Sequence, residues 1–195
     1  VRYSTTGDSR VQNVQPLMVE CVDGMWAAAH NGDLVNAGTL RHHYQRHGSI
    51  FQTTTDSEVL VHLLADPEYI SKQRVARSLA QLEGAFSFLV MKKDCIMGAR
   101  DRFGFRPLSI GEFTVRSKSG RKIGTAFVLA SETCAFNQMG ARHIRDVQPG
   151  ELVTIDKNGL RSSSFSERTE KHLAQCVFEL VYFARPDSTV FGHNV

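Results

Sequence analysis

Residues Gly84 to Ala99 read GAFSFLVMKKDCIMGA, and this stretch decides the fold class. Ala85 to Met91 is apolar on both faces, as a sandwiched strand would be. Lys92 to Asp94 is a polar turn, and Cys95 to Ala99 returns as a second strand. Upstream the period is helical. Val59, Leu60, Leu63 and Leu64 carry the spacing of one buried helical face, and Ala37 to Arg46 and Ser71 to Leu82 are two more helical stretches. In the last, Val75, Leu79 and Leu82 point inward while Lys72, Arg74 and Arg77 point to water. Thr55-Asp56-Ser57-Glu58 fits a capping box, with Thr55 as N-cap and Glu58 at the third helical position.

Downstream, strand pairs recur. Phe113 to Arg116 and Ala126 to Ala130 flank a basic tip, and Glu151 to Asp156 and Leu160 to Phe165 flank Asn158-Gly159. Near the start, Leu17 to Ala29 folds around Asp23-Gly24, Asn31-Gly32 is a second turn signal, and the polar stretch before Pro16 is a loop. Helices among many hairpins, without strand–helix–strand alternation, predict a layered α+β fold.

Composition bounds the function. A chain of 195 residues is long enough to bury roughly 70% of its unfolded surface without disulfide or metal staples. Its 42% hydrophobic and 22% charged residues suit a water-soluble globule. The net charge of +3, from 23 basic and 20 acidic residues, is too even for a nucleic-acid binder. No apolar run is long enough to span a membrane. Cys21, Cys95, Cys134 and Cys176 form no CxxC pair, so reduced thiols in a cytoplasmic protein are expected.

Seven segments, in order, carry a resemblance: VRYSTTG (Val1 to Gly7), AHNGDLVNA (Ala29 to Ala37), TTTDSEV (Thr53 to Val59), RDRFGFRPLSIG (Arg100 to Gly111), ASETCAF (Ala130 to Phe136), VQPGELV (Val147 to Val153) and FELVYFARPDS (Phe178 to Ser188). Together they resemble the amidophosphoribosyltransferase family, whose glutaminase domain is a class II amidotransferase of the N-terminal-nucleophile type. The first five are similar to other class II amidotransferases as well, including glucosamine-phosphate and asparagine synthetases. YFARPDS resembles the junction that leads into the phosphoribosyltransferase domain.

The resemblance implies an αββα four-layer sandwich of two antiparallel sheets. It implies a partial glutaminase domain over residues 1–161, then a linker and the start of a phosphoribosyltransferase domain over 162–195. Arg2 would pair with the α-carboxylate of glutamine, a match for its forked donors. Asp56 would receive the α-ammonium, Thr5 would be a secondary contact, and Tyr3 and Gly7 would belong to the same loop. The Asn31 side-chain amide and the Gly32 N–H would form an oxyanion hole, where the bland alternative is an ordinary hairpin turn. Arg100, Asp101 and Arg106 read as a structural ion-pair and turn motif, and His30 as architectural.

In the family the nucleophile is an N-terminal cysteine whose own α-amine is the base. Position 1 here is valine, so the chain by itself is expected to bind glutamine poorly and not to hydrolyse it. The intact enzyme would combine glutamine-derived ammonia with phosphoribosyl pyrophosphate to give phosphoribosylamine, the first committed step of purine synthesis. Mg²⁺ would accompany the pyrophosphate in the C-terminal domain. Cys176 would stand where some members place a ligand of a [4Fe–4S] cluster, and the intact protein would be a homo-oligomer. The rival readings are another class II amidotransferase and a non-catalytic glutamine-binding module.

Overall fold

The computed structural model describes residues 8, 10–69, 73–166 and 173–195. Strand β1 (Leu17–Cys21) turns at Asp23-Gly24 into the long β2 (Gly24–Leu34), and the helices α1 (Ala37–Arg46), α2 (Glu58–Ala65) and α3 (Arg74–Ala80) follow. Then come β3 (Gly84–Lys92), β4 (Cys95–Arg100), β5 (Ser109–Arg116), β6 (Lys122–Ala130), α4 (Cys134–Met139), β7 (Arg142–Asp146), β8 (Glu151–Asp156) and β9 (Gly159–Ser164). Six strands pair antiparallel in the order β1-β2-β3-β4-β8-β9, and a second sheet runs β6-β5-β7.

Alternation along β3 shows why both of its faces carry apolar residues. Phe86, Phe88 and Val90 pack with Leu60, Leu63 and Leu64 of α2 and Leu79 of α3 in the larger core. Leu89, facing the other way, packs with Leu108, Ile110, Val147 and Val153 between the two sheets. The sheets approach closely at Gly98, where an added Cβ would come within 2.7 Å of the Leu129 side chain. Beyond the second sheet lies α4, whose Phe136 ring covers Gly111. The layers are therefore helices, six strands, three strands and one short helix, the expected four-layer sandwich.

Several local expectations are corrected. Asn31-Gly32 is not a turn: both residues lie inside β2, opposite Ser87 and Phe86 of β3. Helix α3 starts at Arg74, and Arg74 points inward with its side chain 4% exposed, Nη1 lying 2.6 Å from Asp23 Oδ2. The capping box is not formed either. Helix α2 begins one turn later than Thr55, its N-cap Ser57 makes no capping side-chain bond, and the Glu58 carboxylate reaches back to the N–H groups of Gln52 and Thr53. The linker expected from Ser162 begins inside β9, since Ser162, Ser163 and Ser164 pair with Val153, Leu152 and Glu151. Helix α4 and strand β7 had no sequence forecast.

Candidate functional site

The site grows from the edge of β2. Strand β1 covers β2 only from Gly24 to Ala28, so the N–H groups beyond it need other partners. Phe86 of β3 accepts from the Asp101 N–H and donates to the Asp101 carboxylate, so its backbone points toward β4. Its partners across β2 therefore turn their own backbone groups to the outer edge, by the alternation of an antiparallel ladder. His30 there donates its N–H to Gln15 Oε1 at 2.6 Å, and Leu34 donates to Asp56 Oδ2 at 3.0 Å. Gly32 lies midway between them, and among the described residues its N–H has no hydrogen-bond acceptor.

Only glycine suits that midpoint. Gly32 has φ of +148°, and a Cβ would run into the carbonyl oxygen of Ala85. Beside it the Asn31 side chain points to the opposite face of β2 and is exposed, with no hydrogen bond to another described residue. A side-chain amide and a backbone N–H thus stand next to each other, both available as donors.

Asp56 closes one end of this edge. Its carboxylate is 3% exposed, and it accepts from the Leu34 N–H and, at 3.3 Å, from the Ser57 hydroxyl. His30 Nδ1 lies 3.5 Å from Asp56 Oδ2 and 3.0 Å from Ser57 Oγ. Burial pushes the Asp56 carboxyl up, but His30, the Leu34 N–H and the Ser57 hydroxyl outweigh it and hold the group below the usual carboxylate range. A carboxylate offers about four lone-pair directions, so three protein partners leave room for one more donor.

Asn31, Gly32 and Asp56 are therefore brought to one strand edge. Arg2 and Thr5, with Tyr3 and Gly7, lie outside the described residues. Sequence reasoning missed Gln15 and Ser57. Gln15 carried no signal, but reading Asn31-Gly32 as strand would have lined up His30, Gly32 and Leu34 at period two.

The Arg100 group forms the expected turn motif, but no ion pair joins its three members: their bonds go to backbone groups and to Glu179. Arg100 donates to the carbonyls of Arg106, Val147 and Gly104, and Asp101 collects the N–H groups of Phe86, Phe103, Phe105 and Arg106. Arg106 forms an ion pair with Glu179 at 2.7 Å. Cys176 is half-buried, with its N–H on the Phe105 carbonyl. Among the described residues no group of three or more His, Cys, Asp or Glu side chains could hold a metal ion, so Cys176 belongs to no such group there. No helix among them is long and apolar enough to cross a membrane.

Residues 2–138 match the glutamine amidotransferase domain family. Over its whole length the chain is 43% identical to the amidophosphoribosyltransferase of Bacillus subtilis, covering 39% of that protein. It is 41% identical to the chloroplastic amidophosphoribosyltransferase 1 of Arabidopsis thaliana, covering 33%. The solved glutamine phosphoribosylpyrophosphate amidotransferase of B. subtilis, complexed with ADP and GMP, superposes over the entire chain with a TM-score of 0.86 at 41% identity, and 40% of that structure is covered. The chain thus spans about two fifths or less of the length of these relatives.

Proposed function

Because the chain belongs to the glutamine amidotransferase domain family, we propose that it is the glutamine-handling part of a cytoplasmic amidophosphoribosyltransferase. The whole enzyme hydrolyses glutamine and transfers the ammonia to phosphoribosyl pyrophosphate, giving phosphoribosylamine, glutamate and pyrophosphate at the entry to purine synthesis. Mg²⁺ accompanies the pyrophosphate in a second domain, and the intact protein is a homo-oligomer. Residues up to the end of β9 at Ser164 serve the glutaminase, and those beyond lead toward the transferase.

One observation carries this reading: the open Gly32 N–H between two satisfied ones, with the Asn31 amide beside it and the Asp56 carboxylate at the end of the same edge. Attack on the side-chain amide of glutamine drives negative charge onto its carbonyl oxygen. The Gly32 N–H, fixed in a strand, and the Asn31 amide beside it stabilise that developing charge, which is why they act on the transition state more than on the substrate. Asp56 takes the α-ammonium in its remaining lone-pair direction, and Arg2, with Thr5 near it, takes the α-carboxylate. The cysteines stand elsewhere: Cys21 ends β1, Cys95 opens β4 and Cys134 opens α4. None of them is assigned the nucleophile's role.

The test is Asn31→Ala in the full-length enzyme. Glutamate release from glutamine should fall about 10²–10³-fold in kcat, with KM much less affected. An unchanged kcat would leave Asn31 as a solvent-facing strand residue and remove the oxyanion hole from the proposal.

A further inference from the structure

His30 does more than fill the core. Its ring stacks on Phe88 with centroids 4.2 Å apart and planes within 12°, and its side chain is 1% exposed. An apolar ring would serve that stack without burying a polar atom. The histidine instead leaves Nε2 buried without a hydrogen-bond partner, beside the position a Gly32 Cβ would occupy. An unpartnered buried nitrogen is unfavourable, so packing alone gives no reason for it.

The network assigns the proton. Gln15 Nε2 donates to Ser57 Oγ at 3.3 Å, and the Ser57 hydroxyl donates to Asp56 Oδ1 at 3.3 Å. With its hydroxyl proton on Asp56, Ser57 can only accept from His30, so Nδ1 carries a hydrogen. The Nδ1–H then points at Ser57 Oγ, with Asp56 Oδ2 just beyond. Gln15 anchors the far end by accepting the His30 N–H through its own Oε1.

We propose that His30 is a positioning residue for the glutamine clamp. Its Nδ1–H, shared between Ser57 and Asp56, fixes the carboxylate so that its free lone-pair direction meets the ammonium group of the substrate. This rests on the assignment of Asp56 to that ammonium. The clamp grips a group that does not react, so its loss weakens ground state and transition state alike. KM for glutamine should therefore move while kcat stays, a split that general loosening of the core would not give.

The experiment uses the full-length enzyme and four variants, each checked for a cooperative melt. His30→Phe keeps the ring stack and removes the Nδ1 donor. His30→Asn puts an amide near the Nδ1 position. Ser57→Ala removes the bridging hydroxyl with little change in volume, and Asp56→Asn tests the clamp itself. His30→Phe should raise the glutamine KM at least about tenfold with kcat within about threefold of wild type, and His30→Asn should recover most of that loss. Ser57→Ala should shift KM in the same direction, and synthesis from ammonia should be unaffected throughout. If His30→Phe does not fold, Ser57→Ala decides. An unchanged KM in the folded His30 or Ser57 variant, beside a raised KM in Asp56→Asn, overturns this inference alone. An unchanged KM in Asp56→Asn overturns the clamp and the inference with it. Equal losses with both nitrogen donors, or His30→Asn as impaired as His30→Phe, would also overturn the positioning role.

Discussion

The N–H of Leu34, near the end of β2, donates to the carboxylate of Asp56 at 3.0 Å across a separation of 22 residues. This bond joins the edge strand to the segment that leads into α2, and it sets the distance between an acidic group and an open strand N–H. Gly32 is held in register by β3 at one side and by this bond two residues on. Of the two donors of the proposed oxyanion hole, the Gly32 N–H is thus fixed by backbone, while the Asn31 amide is carried on an exposed side chain.

The first prediction concerns Gly32. Its φ of +148° is unfavourable for a side-chain-bearing residue, and the added Cβ meets backbone, which cannot rotate away. Gly32→Ala should cost more than about 2 kcal/mol, combining backbone strain with overpacking. Denaturant unfolding of the intact protein measures it. A variant within about 0.5 kcal/mol of wild type would mean that β2 can retreat from Ala85 cheaply.

Much of the fold was legible. Apolar residues on both faces of β3 reported burial on two sides, and Ala37 to Arg46 carried a helical pattern that held to the residue. Asn31-Gly32 misled because the dipeptide is a strong hairpin signal, whereas here glycine is needed for a positive φ against a neighbouring carbonyl. Glu58 likewise has the spacing of a capping box, but its carboxylate finds the N–H groups of Gln52 and Thr53 in a loop whose path no local rule specifies. Helix α4 has six residues, too few to establish a period. Of the site, Asn31, Gly32 and Asp56 were reached through motif resemblance. The bonds from Gln15 to His30 and Ser57, and the approach of His30 to Ser57 and Asp56, are long-range and leave no periodic trace.

Arg74 gives the second prediction. Its guanidinium is buried, while its partner Asp23 is 37% exposed, and the 2.6 Å approach lacks hydrogen-bond direction at Nη1. Desolvation of the cation then offsets most of the ion-pair attraction. Arg74→Met, similar in reach, should change stability by less than about 1 kcal/mol in either direction. A loss of about 3 kcal/mol or more would show that the pair organises the contact between α3 and the β1–β2 turn.

The third concerns pH. Burial raises the Glu151 carboxyl, but paired bonds from Arg145 at 2.8 and 2.6 Å, together with Ser162 and the Gln148 N–H, bring it below its ordinary value. A carboxyl held low in the folded chain contributes stability that is fully present above its unfolded pKa of about 4.3. That contribution disappears as the pH falls through 4.3 toward the lower folded value. Glu151→Gln should cost about 1–2 kcal/mol at pH 7, a figure reduced because Arg145 is partly exposed. The gap to wild type should narrow below about pH 4. Unfolding curves for both proteins between pH 7 and pH 3 give the comparison, and a gap of constant size would assign the effect to packing.

The last prediction separates two nitrogen sources. Asp56 is proposed to grip the α-ammonium of glutamine, and free ammonia has no head group to grip. Full-length Asp56→Ala should therefore lose synthesis from glutamine and keep synthesis from ammonia, because the proposed function puts the phosphoribosyl site in another domain. Truncating one partner of a buried charge pair costs about 2–5 kcal/mol, equivalent to at least a roughly 30-fold fall in kcat/KM for glutamine. The same change leaves the Leu34 N–H without its acceptor, so a cooperative melt must accompany the kinetics. Phosphoribosylamine formation is then measured with each donor in turn. If a folded Asp56→Ala protein fails with both, the residue's bonds to Leu34 and Ser57 serve the architecture of the domain. The ammonium of glutamine must in that case be held elsewhere.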